Sequence, residues 1–215
     1  MPRCSVRPLK SRKDENMTTQ VNANKILLSL FFFAYTLVLF ACASVPVRSY
    51  DEVGSQWKSY DDVANWMRRY YSYDWKKFKN SLEIYSAENP PPVKTPRESF
   101  EEKSGLCFDA AYFAKQTLNR IDPSYEAEIV FIQNRPYYKP NHYVCSFKKD
   151  GQLYIMDYGL PFKNLRGVFG PFTSLDQYLE FYLRHHPKVK RSKSISFGWP
   201  PFMKNVIEKN TSGNN

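Results

Sequence analysis

The chain has 215 residues, long enough for one domain with additions rather than two full domains, and its 31 Lys and Arg against 21 Asp and Glu give a formal charge of +10. A hydrophobic fraction of 42% with 17% aromatic residues excludes wholesale disorder. Four cysteines, none in C-x2-C spacing, exclude a disulfide-stapled miniprotein and a zinc ribbon, and no phosphate loop, dinucleotide fingerprint or H-E-x-x-H motif is present.

The basic excess sits at the two ends. Residues 1–41 carry a net +4 and residues 184–215 a net +6, whereas 42–183 hold 18 charges of each sign. A uniformly basic face, and with it a specific nucleic-acid partner, is not expected.

Residues 1–41 read as a leader, with Met17 as the expected true start. The uncharged run Ile26–Ala41 has the length of a signal-peptide core rather than of a full membrane span. Leu39-Phe40-Ala41-Cys42 resembles a bacterial lipobox, which implies lipidation of Cys42 and an exported, membrane-anchored lipoprotein facing the periplasm or cell exterior. Two alternatives use the same residues: Ala41-Cys42-Ala43 as an ordinary cleavage site giving a soluble secreted form, or extension of the run to Val45 as an uncleaved anchor.

Residues 42–58 are expected to form a tether. A helix then begins near Ser59, where Val63, Trp66, Met67 and Tyr70 share one face and Asp62 sits at the capping-box position. Asn89-Pro90-Pro91-Pro92 breaks the chain. Thr95-Pro96-Arg97-Glu98 restarts a short helix, expected to end at Gly105. Leu106–Arg120 forms the next, with Ala110, Phe113, Ala114 and Leu118 inward.

The period then changes. Ala127–Gln133 is rich in β-branched and aromatic residues, and His142–Lys148 and Gln152–Asp157 flank the hairpin signal Asp150-Gly151. Leu175–His185 predicts a last helix. Residues 186–215 are expected as a solvated basic tail, with an anionic lipid or cell-wall surface as its sharper partner. Helices followed by strands predict an α+β domain with an antiparallel sheet over 59–185.

Cys107 opens a helix just after Gly105. Unpaired amides and the partial positive charge at a helix start favour thiolate over thiol and can receive an oxyanion. Of three histidines, His185 and His186 end the last helix, where a solvated or capping role is expected, and His142 opens a hairpin strand. With a two-residue turn, Val144 faces Asp157, so Asp157 lies diagonal to His142 on one sheet face. A three-residue turn would flip it to the other face. Asp109 is expected to favour the helix dipole. A Cys107–Cys145 disulfide is the competing fate of the thiol, opposed by strand parity, which points Cys145 away from the face of His142.

Gly105-Leu-Cys107-Phe-Asp-Ala-Ala-Tyr, Asn141-His142-Tyr-Val and Asp150-Gly-Gln-Leu-Tyr-Ile-Met-Asp157, in this order, resemble the Cys-His-Asp triad motifs of the transglutaminase-like cysteine hydrolase superfamily. Tyr60–Asp74 also looks like the helix preceding the core in the bacterial transglutaminase-like cysteine peptidases. The resemblance covers about residues 59–185. It implies a papain/transglutaminase-like core, with the nucleophile's helix packed on an antiparallel sheet, and Cys107, His142 and Asp157 as catalytic residues. It also implies a protein or peptide substrate attacked at an amide bond, by peptidase, amidase or transamidase chemistry, with no metal or organic cofactor; hydrolysis is expected over cross-linking because it needs no second substrate site. No side-chain oxyanion donor ahead of the cysteine is identified, and the backbone N–H of Cys107 is the expected one. The alternative is a membrane-anchored binding or scaffold protein of the same fold without turnover.

Overall fold

A computed structural model describes residues 48–84, 92–136 and 140–203. The expected leader, with Met17 and Cys42, and the end of the tail from 204 onward lie outside these residues.

Four helices open the described part of the chain: α1 (Tyr50–Gly54), α2 (Tyr60–Tyr70), α3 (Trp75–Ile84) and α4 (Pro96–Glu102). Two short strands, β1 (Ser72–Tyr73) and β2 (Ser104–Gly105), pair in parallel. Next come α5 (Cys107–Ile121), the strands β3 (Glu128–Arg135), β4 (His142–Lys149), β5 (Gln152–Asp157) and β6 (Gly167–Phe172), then α6 (Leu175–His185) and β7 (Arg191–Phe197). The five long strands form an antiparallel sheet in the order β6-β5-β4-β3-β7.

Helix starts follow local chemistry. Thr95 accepts from the Glu98 amide while the Glu98 carboxylate accepts from Thr95 N–H, at 3.2 and 2.7 Å, closing a capping box ahead of α4. The helix ends before the expected Gly105: Lys103 takes the left-handed conformation (φ 53°), and Gly105 belongs to β2. The β4–β5 turn is the two-residue one, since Asp150 and Gly151 both adopt positive φ, 52° and 74°, and Lys149 pairs with Gln152.

Each face of the sheet carries a helix. The inward Ala110, Phe113, Ala114 and Leu118 of α5 pack with Cys145, Phe147 and Met156, and Val63, Trp66 and Met67 of α2 close that layer. Trp66 stacks on Phe100 at 4.9 Å and 14°. Tyr178 and Tyr182 of α6 cover Val130, Ile132, Val144 and Ile155 on the other face. Burial of each such large side chain contributes roughly 1.5–3 kcal/mol.

Three expectations change. Residues 48–58, assigned to a tether over 42–58, belong to the folded body: α1 is capped reciprocally by Ser49 and Glu52, and Tyr50 is buried with its hydroxyl 3.0 Å from that of Thr117. The Ser-x-x-Glu signal at 49–52 is the one that reveals this helix. The start of the tail over 186–215 supplies strand β7, an edge whose Arg191 and Lys193 are exposed, which discourages further strand pairing. Tyr70, placed on the inward face of α2, is exposed, and Ala64 takes a place in the core.

Candidate active site

The two-residue turn fixes the register Cys145↔Met156 and Ser146↔Ile155, and so sets the first residue of β4 diagonal to the last of β5 on one face. His142 and Asp157 occupy those positions. Nε2 of His142 lies 2.7 Å from Oδ2 of Asp157, and both side chains are almost wholly buried. The other carboxylate oxygen, Oδ1, accepts from the Gly159 amide at 3.0 Å, so the Asp157 side chain is held at both ends. Tyr182 of α6 stacks on the imidazole at 5.5 Å and 11°, and its hydroxyl accepts from Asn134 at 3.1 Å.

Burial opposes charging of the imidazole, but the Asp157 carboxylate, through its charge and its hydrogen bond, outweighs that cost. The Cys107 sulfur beside the ring adds to the effect, and the His142 pKa rises to about 10. With Nε2 engaged by Asp157, Nδ1 is the nitrogen available to the sulfur.

Cys107 reaches the pair from the opposite side of the sheet. Its helix packs on the face carrying Cys145, whereas His142 and Asp157 lie on the face covered by α6. The meeting point is the end of the sheet, where β4 begins and β5 ends. A close backbone approach makes it possible: a Cβ at Gly159 would lie 2.4 Å from Cα of Cys107. Cys107 is half-buried and free. Cys145 is also free but fully buried, and burial pushes its thiol up. The parity expected for Cys145 holds, and no disulfide joins the two.

Asp109 does more than favour the helix dipole. It is fully buried, and its carboxylate accepts from the Leu106 amide at 2.8 Å, the Lys94 amide at 2.8 Å and the Lys77 ammonium at 2.9 Å. It thereby ties α3 and the segment before α4 to Leu106, the residue preceding Cys107. Burial pushes its carboxyl above the usual range, and Lys77 with the two amides offsets only part of that shift. A Cβ on Gly105 would meet the Tyr71 hydroxyl at 2.2 Å and the Asp109 Cβ at 2.7 Å, which accounts for glycine there.

A cavity of about 560 Å³ opens on Cys107 and His142. His186, expected in a solvated or capping role, caps the end of α6 but is buried and lines the cavity, its Nδ1 accepting from the amides of Lys188 and Val189 at 3.1 and 2.9 Å. His185 is the exposed one of the two, its Nδ1 2.8 Å from the Phe181 carbonyl oxygen.

A family model described as a transglutaminase-like domain matches residues 48–180. The chain belongs to the transglutaminase-like family. A search of curated proteins gives no match. Among solved structures, one titled as the crystal structure of a TGase aligns at 10% identity with a TM-score of 0.35, over 68% of this chain and 42% of that one. This chain thus spans less than half the length of that protein. The fold is the α+β, papain/transglutaminase-like core, and the family is one of cysteine enzymes. Its first matched residue, 48, coincides with the start of the folded body, ahead of the expected residue 59.

The Gly159 contact yields a direct prediction. Gly159→Ala forces Cys107 away from His142, and displacement of a reacting atom by about 1 Å costs on the order of 10²-fold. Alkylation of Cys107 in a variant that keeps the wild-type circular dichroism spectrum should slow by about that factor; an unchanged rate contradicts the contact.

Proposed function

We propose that this protein is a cysteine hydrolase acting on amide bonds of a protein or peptide, with Cys107 as nucleophile, His142 as acid and base, and Asp157 as the group that orients and charges the imidazole. The observation that carries the reading is the buried His142–Asp157 pair, 2.7 Å apart, sharing a cavity with a free cysteine at a helix start. Family membership supports cysteine chemistry of this general kind.

With a pKa near 10 the imidazole is charged at neutral pH and stabilises a neighbouring thiolate. The Cys107 sulfur attacks the amide carbonyl carbon, a C–S bond forms, and the C=O electron pair moves to oxygen. The amide of Cys107, at the open start of α5, can donate to that oxyanion. Collapse breaks the C–N bond while the imidazolium gives its proton to the departing nitrogen, leaving an amine and a thioester. The neutral imidazole then takes a proton from water as its oxygen attacks the thioester. The C–S bond breaks, the acid leaves, and the thiolate–imidazolium pair returns. An amine in place of water gives cross-linking; hydrolysis is the favoured outcome because it needs no second organic substrate.

The reading extends to an exported protein anchored in a membrane through its leader, with Cys42 lipidated. It is supported by the lipobox-like Leu39-Phe40-Ala41-Cys42. Intact-mass analysis of the mature protein should give a chain that starts at a lipid-bearing Cys42. A start at Ser44, or an uncleaved leader, contradicts lipidation.

The catalytic assignment is tested with iodoacetamide near pH 7 and peptide mapping. Cys107 should be alkylated before Cys145, whose thiol reacts only on unfolding, and His142→Ala should lower the Cys107 rate at least about ten-fold. Equal sluggishness of both thiols in the folded protein would instead fit a binding or scaffold protein.

A further inference from the structure

The wall of the cavity beside Cys107 has a chemistry that the catalytic residues do not require. Tyr73, Trp75 and Phe78 form one side, with ring centroids 5.0–6.0 Å apart. Leu160, Phe162 and Phe202 line it as well. Among the described residues no carboxylate lines the cavity, and Lys188 is the one charged side chain there apart from the histidines.

Two of these rings are open to solvent. Trp75 is 53% exposed and Phe202 39%, and they are two of the four large apolar side chains so exposed among the described residues. An isolated exposed ring is ordinary; two at the mouth of one predominantly apolar cavity mark a surface that a ligand covers. Trp75 packs edge-on against Tyr73 and Phe78, and its backbone is fixed. It opens α3, where Oδ1 of Asp74 accepts from the Lys77 amide at 2.8 Å and the Asp74 carbonyl accepts from the Phe78 amide at 2.9 Å. The aromatic wall is therefore pre-organised next to the nucleophile.

We propose that this cavity selects the acyl donor, and that the substrate is a polypeptide carrying a large apolar side chain, aromatic above all, on the residue that supplies the carbonyl attacked by Cys107. Lys188 and the absence of carboxylates disfavour a basic side chain at that position. The inference rests on the reading of Cys107 as an acyl-accepting nucleophile and adds the class of residue it accepts.

The test uses the full-length protein and N-acetyl amino-acid chloromethyl ketones built on Phe, Leu, Gly, Asp and Lys. In each, the Cys107 sulfur displaces chloride and forms a thioether, read by mass at the Cys107 peptide. Every rate is divided by the same protein's rate with iodoacetamide, which carries no side chain. The Phe and Leu reagents should react at least about ten-fold faster than the Gly and Lys reagents. Trp75→Ala and Phe202→Ala, both at exposed positions that tolerate truncation, should collapse that ratio toward one. A flat series, or a preference for Lys or Asp, with iodoacetamide still labelling Cys107 rapidly, overturns the selectivity and leaves the hydrolase reading standing. If no reagent modifies Cys107 faster than free cysteine, the hydrolase reading falls and the selectivity with it.

Discussion

The site depends on one buried contact, the 2.7 Å bond between the His142 imidazole and the Asp157 carboxylate. Burying a histidine ordinarily favours its neutral form. Here the carboxylate reverses that preference and lifts the pKa from 6.5 to about 10. A folded value above the unfolded one means that the charged ring stabilises the native state. That contribution is complete below about pH 6.5 and is lost as the pH rises through about 10. The same charge sits beside the Cys107 sulfur, so folding and chemistry draw on one interaction.

Holding three side chains together from opposite faces of a sheet requires backbone precision, and the chain supplies it at glycines and at one carboxylate. Gly159 lets the strand end pass against Cα of Cys107 and also donates to Asp157, so one residue sets the position of both ends of the site. Asp109 fastens the other side, binding the Leu106 amide immediately before Cys107 and joining it to Lys77 and Lys94. Removing one partner of such a buried ion pair typically costs about 3–5 kcal/mol. The start of the Cys107 helix is thus supported from behind, through Asp109, by α3 and the segment before α4, while the sheet supports the His142–Asp157 pair.

Much of this was legible in the sequence because local chemistry decides it. Asp150-Gly151 forces a two-residue turn, and the turn alone puts His142 and Asp157 on one face. The 3.6-residue spacing of Ala110, Phe113, Ala114 and Leu118 set the inward side of the Cys107 helix, and Leu175–His185 kept its expected ends. What escaped depends on tertiary partners. β6 stays unassigned in the sequence because Gly167, Gly170 and Pro171 interrupt any strand pattern, yet it pairs with β5 across a register shift. β7 reads as a basic tail because its alternation is Ser and Lys on an exposed edge. Asp109 resembles any acidic first-turn residue until Lys77 and the Lys94 amide are brought to it from more than a dozen residues upstream. The side of the sheet on which Cys107's helix packs, opposite to His142, follows from no local pattern.

The most direct test of the central claim is the protonation state of His142 itself. In protein labelled with ¹⁵N at the histidine rings, the His142 signals should show both nitrogens protonated at pH 8. Asp157→Asn should return His142 to the neutral form at that pH. A His142 ring that titrates near 6.5 in the wild type, or that stays charged at pH 8 in Asp157→Asn, would contradict the account.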